Sequence, residues 1–152
     1  MGISTKLNTV ITSYNWEEDM TALVEKMNPD RWKVFQALPV QGQNDKTFDL
    51  VRVTAEQFEA FCSRHDYLNP VAETNEMMTA SYIIVDPWGR FFDNSKGYHT
   101  YSRPILEVGL LEALKDISFD LSRYIKRGGV YELSSQSTDY VECTNVTCSS
   151  KV

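Results

Sequence analysis

Lys6-Leu-Asn-Thr-Val-Ile11 and Arg31-Trp-Lys-Val-Phe-Gln-Ala-Leu38 are two strand-like runs separated by a stretch of helical periodicity. In the first run the side chains alternate across a strand, placing Lys6 and Asn8 on one face and Leu7 on the other. Between the runs, Asn15 and Glu18 have the spacing of a capping box, and Glu17, Glu18 and Asp19 would put negative charge at the positive end of a helix dipole. Met20, Leu23, Val24 and Met27 then recur at i, i+3, i+4 and i+7 as one apolar stripe, until Asn28-Pro29 stops the helix. Strand, a helix of about twelve residues and strand make a βαβ unit, with a right-handed crossover and parallel strands. The predicted fold class is therefore α/β.

Downstream of Gly42, Thr54 and Gln57 form another capping box, with Phe58, Phe61, Cys62 and His65 at helical spacing behind it. Ser81 to Phe92 reads as a hairpin whose turn, Asp86-Pro87-Trp88-Gly89, has the residue order that a type I turn prefers. Two short helices are expected, at Gly109 to Ser118 and Asp120 to Lys126, the second ending in Lys126-Arg127 before a left-handed Gly128. From Ser134 onward the residues are rich in Ser, Thr and Cys without periodicity. The chain thus divides into one domain, 1–133, and a polar tail, 134–152, with no internal repeat.

The 152 residues, 42% apolar and 24% charged, suffice for one compact core. A net charge of -6 argues against nucleic acid or an anionic membrane as partner. Absence of a spanning stretch or secretion signal makes a cytoplasmic location the expectation, in which the Asn145-Val146-Thr147 sequon has no role. Cys62, Cys143 and Cys148 are too few and too oddly spaced for a zinc or iron–sulfur site, and Cys62 falls on the apolar side of a helical pattern. His65 and His99 lack partners at metal-binding or general-base spacing, Asp86 and Asp93 read as turn residues, and Trp16, Trp32 and Trp88 as packing groups, Trp88 with an exposed turn tip as its alternative. No catalytic residue, metal ligand or cofactor is assigned.

Period two places Lys6 beside Asn8, and Arg31 beside Lys33, on single strand faces. Three cations and an amide on one surface suit a triphosphate, although lysine and arginine at strand ends are commonly just solvated, and Tyr82 in an apolar strand is commonly core.

Lys6-Leu-Asn-Thr-Val-Ile11, Asn15-Trp-Glu-Glu-Asp-Met20, Asn28-Pro-Asp-Arg-Trp-Lys-Val-Phe-Gln36, Ser81-Tyr-Ile-Ile-Val-Asp86 and Lys126-Arg-Gly-Gly129 resemble viperin-like radical S-adenosylmethionine proteins in order and spacing. The resemblance runs from Lys6 to Leu133 and implies a truncated (β/α) partial barrel with one βαβ unit, followed by a C-terminal α+β extension that closes over a nucleotide. That family converts CTP or another nucleoside triphosphate into an antiviral didehydro nucleotide. It implies nucleotide-binding roles for Lys6, Asn8, Arg31 and Lys33, for Tyr82 near the ribose and for Arg127 at the phosphates. Two features depart from the family: no Cys-x-x-x-Cys-x-x-Cys loop occurs, and the chain ends in Lys151-Val152 rather than tryptophan. Without the loop there is no cluster to cleave S-adenosylmethionine. The expectation is a non-catalytic remnant or module that retains weak nucleoside-triphosphate binding. Its alternatives are a self-assembling interaction protein or one half of a split enzyme whose N-terminal half is separately encoded. The unpaired edge of the first strand predicts a closed two-fold homodimer.

Overall fold

The computed structural model describes residues 3–130, so the 134–152 tail, with Cys143, Cys148 and the sequon, lies outside the described residues. The quoted runs are strands β1 (Lys6–Ile11) and β2 (Arg31–Gln36), joined by helix α1 (Thr21–Met27). They pair in parallel, with Lys6 opposite Arg31, Asn8 opposite Lys33 and Val10 opposite Phe35. A second crossover, through helices α2 (Phe48–Val51) and α3 (Ala55–Arg64), leads to β3 (Val71–Glu73), parallel to β2 with Phe35 opposite Glu73. The expected βαβ unit is present, and the three-residue β3, too short to show a period, adds another.

Alternation sorts the sheet into two chemistries. Leu7, Thr9, Ile11, Trp32 and Val34 face the helices, where Ile11, Trp32 and Val34 form the core with Val24 of α1 and Phe58 and Phe61 of α3. Lys6, Asn8, Arg31, Lys33 and Glu73 take the opposite face. Among the described residues the strand order is β1-β2-β3, with β1 and β3 at the edges. The architecture is mixed α/β, with two three-stranded sheets among the described residues.

Helix α1 starts later than its sequence suggests. Asn15 makes no cap for it: Asn15 Oδ1 accepts from the Thr12 N–H (2.7 Å) and its amide donates to the Val10 carbonyl (3.0 Å), which holds a turn instead. Arg64 pins that turn through the Trp16 and Glu18 carbonyls, and the Met20 N–H donates to Nε2 of the fully buried His65 (2.9 Å). With His65 Nδ1 lying 2.8 Å from the Phe61 carbonyl, the ring serves as a neutral core histidine with its proton on Nδ1. Only seven residues long, α1 buries Val24 and leaves Leu23 and Met27 half-exposed. The Thr54–Gln57 capping box forms in both directions at the start of α3.

After β3 come helix α4 (Asn75–Met78) and a second, antiparallel sheet of β4 (Ile84–Val85), β5 (Arg90–Asp93) and β6 (Thr100–Pro104). The hairpin turn closes as expected, the Gly89 N–H donating to the Asp86 carbonyl and Arg90 bridging both sides of it to the Asp86 carboxylate. Trp88 stands exposed at the tip, whereas Trp32 is core with its indole N–H on Thr9 and Trp16 packs beside it. The helix expected at Gly109 to Ser118 is α6 (Leu110–Leu114), shorter than expected, and Gly109 at φ +83° separates it from an additional preceding helix, α5 (Ile105–Val108). Helix α7 (Leu121–Lys126) begins on an Asp120 cap and ends as predicted before Gly128 at φ +68°.

Phe61→Ala should lower the unfolding free energy by about 3–5 kcal/mol, and Leu23→Ala by no more than about 1 kcal/mol, as read by chemical denaturation. Asp93 is a second test. Burial raises its carboxyl, but hydrogen bonds from Ser95, Ser118 and Thr100 outweigh that and hold it below the usual carboxylate range. The unfolded chain therefore takes up this proton first, so the stability Asp93 contributes is full above the unfolded carboxylate pKa and lost as pH falls through the folded one. Asp93→Asn should flatten that part of the acid unfolding profile.

Candidate functional site

The polar face of the parallel sheet is roofed by the segment leading to β4 and by the end of α7. Glu73, the last residue of β3, is fully buried there. Its Oε1 pairs with the Lys33 ammonium and lies 3.4 Å from Arg127 Nη1, while its Oε2 accepts from the Tyr82 hydroxyl at 2.5 Å. Lys33 and Arg127 are themselves almost completely buried. An isolated carboxylate in such a place would be prohibitively desolvated, and two cations and a phenol make it tenable.

Each partner is held by local structure. Arg127 is the C-cap of α7; its guanidinium lies 3.7 Å above the Tyr82 ring and 5.0 Å from the Tyr124 ring, and donates through Nη2 to the Ser81 carbonyl (2.8 Å). Beyond it, the Gly128 N–H donates to the Ile125 carbonyl and the Gly129 N–H to the Tyr124 carbonyl, the double closure of a Schellman motif. The Gly128 carbonyl accepts from Arg31 Nη2. A Cβ on Gly128 would sit 2.9 Å from that nitrogen, and one on Gly129 2.4 Å from the Tyr124 ring. Gly128 thus lets the end of α7 approach the sheet, and Gly129 lets the chain turn back against Tyr124 of its own helix.

Of the six predicted residues, Lys33, Tyr82 and Arg127 converge on Glu73, Arg31 is bound to the adjoining Gly128, and the exposed Lys6 and Asn8 stand opposite Arg31 and Lys33 on β1. Glu73 is the residue that sequence reasoning missed. Burial lowers the Lys33 ammonium from its ordinary value, with the Glu73 contact opposing the change, and burial beside Glu73 pushes the Tyr82 phenol well up. Two cations, Lys33 and Arg127, thus pair with one carboxylate, and Arg31 and Lys6 lie on the same sheet face.

Among the described residues the only cysteine is Cys62. Cys62 is half-buried against the core, its thiol pushed up to about 11 by burial and by Glu59. Among the described residues no group of three or more His, Cys, Asp or Glu is placed to hold a metal ion, and no helix is long and apolar enough to cross a membrane.

No family model matches the chain. It is 46% identical over 131 residues to an S-adenosylmethionine-dependent nucleotide dehydratase of Lacinutrix mariniflava, 42% over 134 residues to one of Flammeovirga pacifica and 40% over 135 residues to one of Danio rerio. This chain is homologous to one part of the nucleotide dehydratases. The matches take in 86%, 86% and 85% of it but only 28%, 46% and 38% of those proteins, so it spans less than half the length of these relatives. The viperin-like resemblance in the strand runs thus extends across nearly the whole chain, as homology to a segment.

Glu73→Leu should cost about 3–5 kcal/mol of stability in chemical denaturation, because it strands Lys33 and Arg127 without a counter-charge. Lys33→Met combined with Glu73→Leu should cost less than Glu73→Leu alone, since the pair leaves together.

Proposed function

We propose that this segment is the phosphate-binding wall of a nucleotide-processing barrel and that the 152 residues alone form a non-catalytic module with weak affinity for a nucleoside triphosphate. The observation that carries this reading is the gathering of Lys6, Arg31 and Lys33 on one sheet face, with Arg127 brought beside Lys33 through Glu73, in a chain of net charge -6. Charge of one sign gathered on one sheet face, against the overall balance, favours an anion with several oxygens. The relatives are nucleotide dehydratases, which makes a nucleotide the natural choice. The carboxyl-terminal roof would close over it, with Tyr82 beside the sugar and Asn8 adding an amide donor. Since the 152 residues contain no Cys-x-x-x-Cys-x-x-Cys, radical cleavage of S-adenosylmethionine would have to come from other strands. An antiviral role and a cytoplasmic location follow the same family reading.

A second reading is favoured by β1, which has β2 on one side and no described strand on the other, with Val10 half-exposed. Such an edge calls for another strand. It is supplied either by a separately encoded barrel half or by a second copy in a closed two-fold dimer, which would bury more than roughly 1,000 Å².

Calorimetric titration of the 152-residue chain with a nucleoside triphosphate should give a Kd on the order of high micromolar or weaker, weakening further as salt rises. Lys6→Ala with Asn8→Ala, two exposed positions whose loss spares the Glu73 cluster, should reduce affinity several-fold; unchanged affinity would place the ligand elsewhere. The same chain supplied with iron, sulfide and S-adenosylmethionine should form no 5′-deoxyadenosine. Sedimentation at micromolar concentration should show a dimer, and a monomer would remove the two-fold reading.

A further inference from the structure

The parallel sheet has a second open edge, on β3. No described strand lies beyond Val71–Glu73, and outside the sheet none of these three residues uses its main chain in a hydrogen bond to a described residue. Two open pockets of about 450 and 380 Å³ lie along this edge and share Glu59, Cys62 and Ala72, so they form one groove. We propose that the groove is a docking site for an extended segment of another protein, added to β3 as a further strand and carrying lysine or arginine at its two ends. It shares no residue with the Glu73 cluster and stands apart from the phosphate-binding reading.

Three features specify that occupant. The first is the ladder. An edge strand presents unpaired N–H and C=O groups, and an extended peptide satisfies them by running alongside. The second is the floor. Ala72 lies opposite Val34 and packs against the core on the helix side, where Phe58 and Cys62 of α3 line the groove with it. Every second side chain of an added strand would point at this apolar floor.

The third is charge. Asp66 stands before β3 at one end of the groove, Glu76 past it at the other, and Glu59 between them. All three are exposed and none makes an ion pair with a described residue. Neither pocket has a lysine or arginine in its wall, and Arg123, whose guanidinium reaches the Glu76 carbonyl, is paired with Asp120. The groove is thus apolar in the middle and acidic at both ends, which fits a strand with a base, an apolar group and a base at i, i+2 and i+4. The same charges disfavour two nearer candidates. A second copy pairing here about a two-fold axis would set these carboxylates against those of its partner. Residues 131–152 of the chain itself carry Glu132, Asp139 and Glu142 against a single Lys151.

The test uses the 152-residue chain and three end-blocked, fluorescently labelled peptides, read by anisotropy. They are Lys-Thr-Val-Thr-Lys, the same peptide with glutamate for both lysines, and the lysine peptide N-methylated at its central amides. The lysine peptide should bind roughly tenfold tighter than either of the others. Glu59→Lys with Glu76→Lys, two exposed changes that leave the core and the Glu73 cluster alone, should invert the order so that the glutamate peptide binds better. Equal affinity for the lysine and glutamate peptides, or no binding of any, would overturn the proposal. So would unchanged affinity of the N-methylated peptide, which would reduce the contact to surface charge. Protection of all three Val71–Glu73 amides from hydrogen exchange before any peptide is added would show the edge already covered, by a second copy or by residues 131–152, and would overturn it as well.

Discussion

A carboxylate with no access to water has to be surrounded by charge or it will not stay ionised, and Glu73 is such a group. Its surroundings come from three distant parts of the chain: Lys33 in the middle strand, Tyr82 ahead of the antiparallel sheet and Arg127 at the end of the last helix. β3 consists of little more than the residues needed to bring Glu73 beside Phe35. The core behind the sheet, built on Trp32, Val34 and Phe61, is conventional apolar packing and makes the wall stiff. In front of the sheet the contacts at the site are largely polar, and what holds the roof there is the charge around Glu73, together with the Arg31 contact to Gly128.

On the phosphate-binding proposal, stability and recognition would share the same residues. Burial lowers the Lys33 ammonium and the Glu73 contact opposes that only in part, so its charge depends on a neighbour that also takes part of its field. On the same proposal, an anion would have to share Lys33 and Arg127 with Glu73, whereas Lys6 and Asn8 are exposed on the edge strand. The face is thus graded from a buried interior to an exposed margin. Groups at the margin can be altered with little cost to the fold, and those in the interior cannot.

What could be read from the sequence was local. The two strands and the shared face of Lys6, Asn8, Arg31 and Lys33 follow from parity alone, and the Thr54–Gln57 box and the Asp86–Gly89 turn are each complete within four residues. The start of α1 was illegible because Asn15 serves the preceding turn and the Met20 N–H is satisfied by His65, 45 positions away. Glu73 gave no signal, lying in a strand of three residues with no period and finding its partners 40, 9 and 54 positions away. Tyr82 and Arg127 entered the expected site through family resemblance, since nothing in their spacing joins them to β2.

The Arg31 bond to Gly128 spans 97 positions of the chain, about three quarters of the described length. Contacts of that separation are made late, because the loop must be closed before the contact can repay it. The sheet and its two packed helices can assemble from the first half of the chain, but until α7 arrives Glu73 and Lys33 lack the charge of Arg127. Folding should therefore proceed through a wall whose charged face is still hydrated, with the roof docking as the final event and drying that face as it closes. Its opening is correspondingly the lowest-energy fluctuation to expect of the native protein, and amide exchange should be faster along α7 than in β2.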